Sequence, residues 1–300
     1  MPSVSSVEEA AAALATAHRE GRTLRIGEDL TTDGLDRILE HDPGDLTCTV
    51  EAGMRLSALQ AALGGVGQRL SLDPPGDPTV GALLARNVSG PLRHRFGAPR
   101  DLVLGVTLVL GDGTIASAGG KVVKNVAGYD LARLVCGSYG RLALVVRASF
   151  RLHPLPKAVR TLVVETDEAA SVVARLLASQ LQASALDVLH PGRVAMLFEG
   201  SERAVAAQVD TARALVGGEE ADPDVWNESR ERQAAALGRV RFDPGSLAET
   251  LVTLRDAIVR PSAGIAYTAA AVPAEEPDAA RRALLERVTR ELDPGGVLAA

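Results

Sequence analysis

Glycine-rich segments between residues 71 and 156 are the part of the sequence best suited to holding a ligand. Their glycines fall into two groups, Gly76, Gly81, Gly90 and Gly97, then Gly119, Gly120, Gly128, Gly137 and Gly140. Glycine adopts positive φ and lets a backbone approach a ligand closely, and N–H groups left free in such turns bind anions such as a diphosphate. The same glycines also suit ordinary hairpin turns, so the residue types alone leave both interpretations open.

Side chains that commonly catalyse reactions or bind metals are sparse. The five histidines show no HxH or HxxxH spacing: His18, His41, His94, His153 and His190. Two cysteines, Cys48 and Cys136, are too few for a disulfide framework or a cysteine metal site. We therefore predict no metal site and assign no catalytic residue.

The composition is typical of a globular cytoplasmic protein. The 300 residues suit two domains, and the apolar and charged fractions of 46% and 23% lie near globular averages. A net charge of -6 gives no attraction to nucleic acid, and no run approaches the ~18 apolar residues of a membrane span. Glu8 and Glu9 stand where a secretion signal carries lysines, so a cytoplasmic, reduced protein without a transmembrane segment is expected.

The first 156 residues indicate an α+β domain made of two subdomains. In the first, about residues 1–75, an Ala-rich helix precedes strands at Thr23–Ile26 and Leu46–Gly53, and a helix follows at Arg55–Leu63.

The second subdomain, about residues 76–156, follows a proline-rich loop. A helix is predicted to begin near Thr79 and to end at Gly90. The sequence Gly111-Asp112-Gly113 is a strong hairpin signal. A last strand, Leu142–Pro156, ends at the predicted domain boundary.

Residues 157–300 predict a smaller α+β domain. Strand and helix patterns follow each other in the order β-α-β-β-α, which is typical of a ferredoxin-like unit. An amphipathic helix is predicted from about Glu275 to Leu292.

One run of seventeen residues resembles the signature of a known family. KNVAGYDLARLVCGSYG at 124–140, followed by RLALVVRASFRLHPLP, is similar to the flavin-domain signature of the p-cresol methylhydroxylase (PCMH)/vanillyl-alcohol oxidase superfamily. Within that superfamily the chain resembles the small FAD-binding subunit of bacterial glycolate oxidase, densely from Leu46 to Pro156 and thinly beyond. The resemblance implies a PCMH-type FAD-binding fold of two α+β subdomains, followed by a ferredoxin-like α+β cap domain and a C-terminal helix.

The resemblance also implies a noncovalent FAD held between the two subdomains and covered by the cap. The residues that fall where the family lines the cofactor are Thr79, Gly81, Asn87, Ser89, Gly90, Asn125, Gly128, Tyr129, Asp130, Gly137, Ser138, Gly140 and Leu142. A helix N-cap is the alternative for Asp130, and a buried aromatic is the alternative for Tyr129. Arg93, His94 and Arg95 fall where that subunit has adjacent arginines, which suits a substrate or interface role, with a solvated loop as the alternative.

Two departures from the family pattern predict weaker FAD binding. Where the family has a glycine-rich diphosphate loop, this chain has Gly27-Glu28-Asp29, with one glycine and two carboxylates. A charge-assisted hydrogen bond is worth roughly 1.5–3 kcal/mol, so losing two or three predicts FAD binding weaker by ~10² or more. Ala143 replaces a second glycine, and its Cβ is expected to crowd the approach to the flavin.

The resemblance implies an FAD-binding subunit of a glycolate oxidase-like complex that oxidises 2-hydroxy acids. Its expected partners are a catalytic flavoprotein subunit and an iron–sulfur subunit, which would place the protein in the cytoplasm or, through the complex, at the inner face of the membrane. One alternative is a degenerate structural subunit without bound flavin. Another is a stand-alone FAD-dependent hydroxy-acid oxidoreductase, which is disfavoured because no HGHxGDGN-like motif is present.

Overall fold

The computed structural model describes residues 3–120, 130–273 and 278–299. The strands are β1 (Ile38–Asp42), β2 (Thr47–Glu51), β3 (Gln68–Arg69), β4 (Val103–Val109), β5 (Ile115–Gly119), β6 (Leu144–Arg151), β7 (His153–Pro154), β8 (Ala158–Glu165), β9 (Ala185–His190), β10 (Arg193–Gly200), β11 (Glu219–Ala221), β12 (Gly238–Arg241), β13 (Ala257–Arg260) and β14 (Ile265–Thr268). The helices are α1 (Val7–Arg19), α2 (Leu56–Gly64), α3 (Val80–Arg86), α4 (Arg93–Phe96), α5 (Pro99–Leu102), α6 (Leu131–Val135), α7 (Ala169–Leu177), α8 (Glu202–Val216), α9 (Asp224–Ala234), α10 (Leu247–Thr253) and α11 (Ala279–Leu292). None of the helices in these ranges has both the length and the apolarity needed to cross a membrane.

The first sheet organises the N-terminal half of the chain. Within the described residues it has five antiparallel strands in the order β1-β2-β6-β4-β5. Leu59 of α2, Leu83 of α3 and Phe150 of β6 lie in one core, and Leu14 of α1 packs in a second core with Val146. The predicted hairpin is confirmed as the β4–β5 connection, and the predicted helix at Arg55–Leu63 is confirmed as α2.

The predicted strand at Thr23–Ile26 is wrong. Only isolated bridges form there, one of them between Leu24 and Leu298. After α11 the Asp293 carboxylate accepts hydrogen bonds from the N–H groups of Val297 (3.0 Å) and Leu298 (2.7 Å). Residues 293–298 therefore return to the N-terminal half, where both apolar side chains are buried beside α1.

The second sheet confirms the ferredoxin-like prediction and extends it. Its strands β11-β8-β10-β9 lie in the order 4-1-3-2 of a βαββαβ unit, and β13, β14 and β12 continue the same sheet in the described part of the chain. One face packs against helices through residues such as Val173 of α7 and Val209 of α8. The opposite face packs against Trp226 of α9 and against Leu92 from the N-terminal half. We propose that the boundary between the two units lies near residue 156, between β7 and β8.

An ion pair joins the two units near this boundary. The two terminal guanidinium nitrogens of Arg69 in β3, Nη1 and Nη2, donate to the two carboxylate oxygens of Glu199 in β10, each at 2.7 Å. The two side chains are 14% and 7% exposed. A buried charge without a partner costs several kcal/mol of stability. Any rearrangement of the two units that separates Arg69 from Glu199 would incur this cost, so the bidentate pair favours one arrangement of the units.

Replacing Glu199 by Gln should destabilise the fold by ~3–5 kcal/mol, because the Arg69 guanidinium would stay buried without a carboxylate. Chemical denaturation followed by circular dichroism measures this loss. The control, Glu220→Gln, removes the same charge from an exposed carboxylate that pairs with Arg160 and Arg213. Its expected cost is below ~1 kcal/mol, and equal losses in the two variants would contradict the assignment.

Candidate functional site

Two adjoining cavities form the candidate site, and they share the side chains of Arg86 and Tyr139. The smaller cavity, about 590 Å³, lies between residues 26–33, α3 and residues 138–145. The larger cavity, about 1010 Å³, lies between the end of α3 and the cap strands β12 and β14. Because two side chains line both cavities, a long ligand could occupy them together.

The loop after residue 25 satisfies its polar groups internally. The Gly27 N–H donates to the Leu30 carbonyl at 2.8 Å, and the N–H groups of Glu28 and Asp29 donate to the Arg25 carbonyl at 3.1 and 2.8 Å. The Glu28 carboxylate pairs with the Arg25 guanidinium at 2.8 Å, and the Asp29 carboxylate accepts the Arg25 N–H at 2.8 Å. Neither carboxylate lines the smaller cavity. The three N–H donors are used within the loop, as the expected loss of donors to a diphosphate requires.

The wall next to this loop is lined by Thr31, Thr32 and Asp33 instead. The two hydroxyl groups and the carboxylate can all accept hydrogen bonds, and the hydroxyl groups can also donate them. Sequence reasoning missed these residues because they follow the segment that aligns with the family's glycine-rich loop.

Helix α3 separates the two cavities. It begins at Thr79, whose Oγ1 accepts a hydrogen bond from the Ala82 N–H at 3.2 Å. The predicted end at Gly90 is wrong, because Asn87 closes the helix in the left-handed conformation with φ 48°. The Asn87 side chain is fixed there by the Arg100 N–H, which donates to its Oδ1 at 3.2 Å.

Tyr139 lies at the junction of the two cavities in a strained conformation. Its φ is 56°, and the residue is 60% exposed. Its N–H donates to the Ala85 carbonyl at 2.9 Å, and the Gly137 N–H donates to the Leu84 carbonyl at 3.0 Å, so the segment is hydrogen-bonded to α3. A large side chain at positive φ costs of order 1–3 kcal/mol and is typical of ligand-binding sites. Sequence reasoning named its neighbours but missed Tyr139 itself.

The predicted cofactor residues fall into three groups. Five of them line a cavity: Thr79, Gly81, Ser138 and Gly140 in the smaller one and Asn87 in the larger one. Five described ones line neither cavity: Ser89, Gly90, Asp130, Gly137 and Leu142. The remaining three, Asn125, Gly128 and Tyr129, lie outside the described residues. Ala143, whose Cβ is expected to crowd the approach to the flavin, is buried in the wall of the smaller cavity.

Two of the non-lining residues have local structural roles. Asp130 caps α6, since its Oδ1 accepts the Arg133 N–H at 3.1 Å, which is the alternative that the sequence left open. Gly90 packs so tightly that a Cβ would lie 1.8 Å from the Asp73 carbonyl oxygen. Both residues therefore serve the local fold.

Arginines dominate the charge of both cavities. Arg55, Arg86 and Arg141 line the smaller cavity together with a single carboxylate, Asp33. The larger cavity is lined by four arginines and, among the residues the structure describes, by no carboxylate: Arg86, Arg239, Arg241 and Arg281. In a protein of net charge -6, this groove is locally positive and therefore attracts anions.

A buried ionic network connects the cap to the segment behind α3. Arg260 of β13 is 2% exposed, and it donates to the Ser89 carbonyl at 3.1 Å and to Gln233 Oε1 at 2.7 Å. Its Nε lies 3.5 Å from Oδ1 of Asp187, which is fully buried and also accepts the Ser229 hydroxyl at 2.6 Å. Burial raises the pKa of Asp187, while the nearby Arg260 charge opposes the rise.

Asp73 lies at the edge of this network and titrates near neutral pH. Burial raises its pKa to about 7, against the opposing charges of Arg260 and Arg230 and the hydrogen bond from the Leu92 N–H. The folded pKa of Asp73 lies above 3.8, the ordinary value for this carboxyl group. The contribution of Asp73 to the free energy of unfolding is therefore complete below pH 3.8 and is lost as the pH rises through about 7.

The interpretation of Arg93, His94 and Arg95 as a loop is wrong, and Arg93 and His94 are half-buried, whereas Arg95 is exposed to solvent. These residues form α4, which packs against the cap. The Nδ1 of His94 lies 2.7 Å from the Ser262 hydroxyl, and Arg93 donates to the Ser89 hydroxyl at 3.1 Å. Burial lowers the pKa of His94. None of the three residues lines the smaller or the larger cavity, so their position favours the interface role.

The fold and the sequence are both similar to known proteins. The solved structure of an alkyldihydroxyacetonephosphate synthase superposes with a TM-score of 0.76 at 14% identity, covering 99% of this chain and 76% of that one. The predicted α+β fold class is thereby confirmed. Residues 3–119 match the family described as FAD binding domain. The N-terminal part of the chain is therefore similar to that family.

Two curated relatives support the resemblance inferred from the motif. Glycolate oxidase subunit GlcE of Escherichia coli (strain K12) is 36% identical over 218 residues, which is 69% of this chain and 61% of that protein. Glycolate oxidase subunit GlcD of Bacillus subtilis (strain 168) is 35% identical over 160 residues, which is 52% of this chain and 34% of that protein. This chain therefore matches less than two thirds of the length of either relative.

Replacing Asp73 by Asn should remove a pH dependence of stability. Between pH 5.5 and 8.5 the unfolding free energy of the wild type should fall by about 2 kcal/mol relative to the variant. In this range the folded wild type loses the Asp73 proton, whereas the unfolded wild type is already ionised and the variant has no carboxyl group at this position. Urea denaturation across this pH range measures the difference. Parallel pH profiles for the two proteins would show that Asp73 does not titrate near neutrality.

Replacing Tyr139 by Gly should leave the fold as stable as before or stabilise it by up to ~1 kcal/mol, because glycine adopts positive φ without strain. Thermal unfolding measures this change. The comparison variant, Tyr139→Ala, removes the ring but keeps the Cβ at positive φ, so it should be less stable than the glycine variant. A clear loss of stability in Tyr139→Gly would mean that the ring serves packing and not the site.

Proposed function

We propose that the protein binds one FAD across both cavities and acts as the FAD-binding subunit of an oxidoreductase complex similar to glycolate oxidase. The observation that carries this proposal is the pair of adjoining cavities that share Arg86 and Tyr139 inside a chain with an FAD binding domain. A flavin dinucleotide has two aromatic ends joined by a diphosphate, so it suits two compartments with a narrow junction.

The smaller cavity suits the diphosphate and the nucleotide. Arg55, Arg86 and Arg141 supply positive charge. The Asp33 carboxylate can accept hydrogen bonds from sugar hydroxyl groups, so we place it beside the sugar of the nucleotide and away from the diphosphate. The cations compensate in part for the backbone donors that the loop at Gly27 has lost.

The larger cavity suits the flavin ring and a substrate. Tyr139, Leu237 and Val272 are exposed apolar or aromatic side chains on its wall, and such side chains favour a flat aromatic ligand. We propose that the FAD is held noncovalently, through the charged and hydrogen-bonding groups that line both cavities. When bound, FAD would supply the hydride or electron transfer, and the chain would supply binding, orientation and charge.

The remaining proposals concern the assembly. Two similar proteins are named as subunits of glycolate oxidase, and this supports a catalytic flavoprotein subunit as a partner. We extend the proposal to an iron–sulfur subunit and to peripheral association with the inner face of a membrane through that complex. A structural subunit without flavin is the second candidate, and it is favoured by the hydrogen bonds that use up the N–H groups of Gly27, Glu28 and Asp29.

Titration of the purified chain with FAD separates these two candidates. The proposal predicts quenching of flavin fluorescence that saturates at one FAD per chain. A folded chain that takes up no FAD, alone or with a co-purified partner, would favour the structural subunit. Uptake of FAD with turnover of a hydroxy acid by the isolated chain would instead favour a stand-alone enzyme.

Replacing Arg141 by Gln should weaken FAD binding by about tenfold or more, because one charge-assisted contact to the diphosphate is lost. The same fluorescence titration measures the dissociation constant. Arg203→Gln is the matched control, since Arg203 is an exposed residue of α8 that lines neither cavity. Equal dissociation constants for the wild type and both variants would exclude Arg141 from the cofactor site.

A further inference from the structure

The cap side of the larger cavity presents a surface that we call the cap wall, defined by Arg239, Arg241, Tyr267 and Arg281. Arg239 and Arg241 belong to β12, the edge strand of the cap sheet, and both side chains are exposed. Residues i and i+2 of a strand lie on one face roughly 6–7 Å apart, so the two guanidinium groups start from neighbouring points of the same wall.

Neighbouring groups fix part of this wall. Arg239 pairs in register with Tyr267 of β14, and its guanidinium carbon lies 5.9 Å from the centre of the Tyr267 ring. The buried Arg260 guanidinium lies 5.0 Å from the same ring. Tyr267 is therefore in cation–π contact with two guanidinium groups, which restricts both its ring and Arg239.

Among the residues that the structure describes, the arginines of the cap wall have no carboxylate partner. In the ranges that the structure describes, no carboxylate lies within 4.0 Å of a guanidinium nitrogen of Arg239, Arg241 or Arg281. No described carboxylate lines the larger cavity at all. Like charges around one concavity repel each other, and an anionic ligand removes that repulsion.

A charge count indicates the kind of anion. The diphosphate of FAD is matched in the smaller cavity by Arg55, Arg86 and Arg141 against Asp33. The oxidised flavin ring brings no charge into the larger cavity. The three arginines of the cap wall then remain without an anionic partner. Because a single bidentate guanidinium is enough for one carboxylate, three guanidinium groups favour a ligand with more than one carboxylate.

We propose that the cap wall binds a ligand with two carboxylates, so that the substrate class of the larger cavity is a 2-hydroxy dicarboxylate and not a 2-hydroxy monocarboxylate. One carboxylate pairs with Arg239 and Arg241 on β12, and the second lies within reach of Arg281 at the start of α11. This inference rests on the proposed function, because it assumes that FAD occupies the smaller cavity and brings its ring into the larger one.

Calorimetric titration of the FAD-reconstituted chain tests this inference. The probes are malate and 2-hydroxybutyrate, each as both enantiomers, because the two acids differ by a carboxylate in place of a methyl group. One enantiomer of malate should bind at least ~10-fold more tightly than either form of 2-hydroxybutyrate, and the preference should shrink as salt rises. Equal affinities, or tighter binding of 2-hydroxybutyrate, would overturn the inference.

Two variants assign the preference to the cap wall. Arg239→Gln and Arg241→Gln should each reduce the ratio of malate to 2-hydroxybutyrate affinity by about tenfold, measured at full FAD occupancy. Arg203→Gln on α8 should leave the ratio unchanged. A ratio that survives both cap-wall changes overturns the assignment even when malate binds tightly.

The two proposals fail in distinguishable ways. If FAD binds at one per chain and malate shows no preference, the dicarboxylate inference is wrong and the proposed function stands. If FAD does not bind, the proposed function is contradicted and the inference falls with it.

Discussion

The buried pair of Arg260 and Asp187 is the interaction on which the arrangement of the site depends. Both side chains are essentially removed from water, and leaving either charge unpaired would cost several kcal/mol. Arg260 also donates to the Ser89 carbonyl in the segment that follows α3. A cap strand is thereby tied to the N-terminal half directly behind the larger cavity. The cavity keeps its shape because its two walls share this buried network.

The two strained residues of the site are held by contacts within the N-terminal half. Asn87 and Tyr139 are non-glycine residues at positive φ, and both line the larger cavity. Each such conformation persists only where surrounding contacts enforce it. Hydrogen bonds to Arg100 and to the Ala85 carbonyl supply these contacts. Strain, positive charge and concavity therefore coincide at one place, which is the usual property of a binding site and not of a packing interface.

Local sequence signals predicted the local parts of the fold. The hairpin between β4 and β5, helix α2 and the β-α-β-β-α order all follow from turn residues and periodicity, which are properties of short segments. The strand at Thr23–Ile26 failed because its partner is Leu298, far away in sequence. The end of α3 failed because Asn87 takes the left-handed cap that glycine usually supplies. At the site, the family resemblance was enough to find the cavity-lining residues Thr79, Gly81, Asn87, Ser138 and Gly140. The arginines of the cap wall could not, because only pairing between distant strands brings them to the cavity.

A crystal structure of the chain with bound FAD tests the central claim most directly, since that claim concerns one cofactor spanning two cavities joined at Tyr139. The diphosphate should lie beside Arg55 and Arg141, and the flavin ring should lie in the larger cavity, facing the cap wall. Arg260 and Asp187 should keep the contact seen here. A flavin ring outside the larger cavity, or a diphosphate on the other side of α3, would contradict the account.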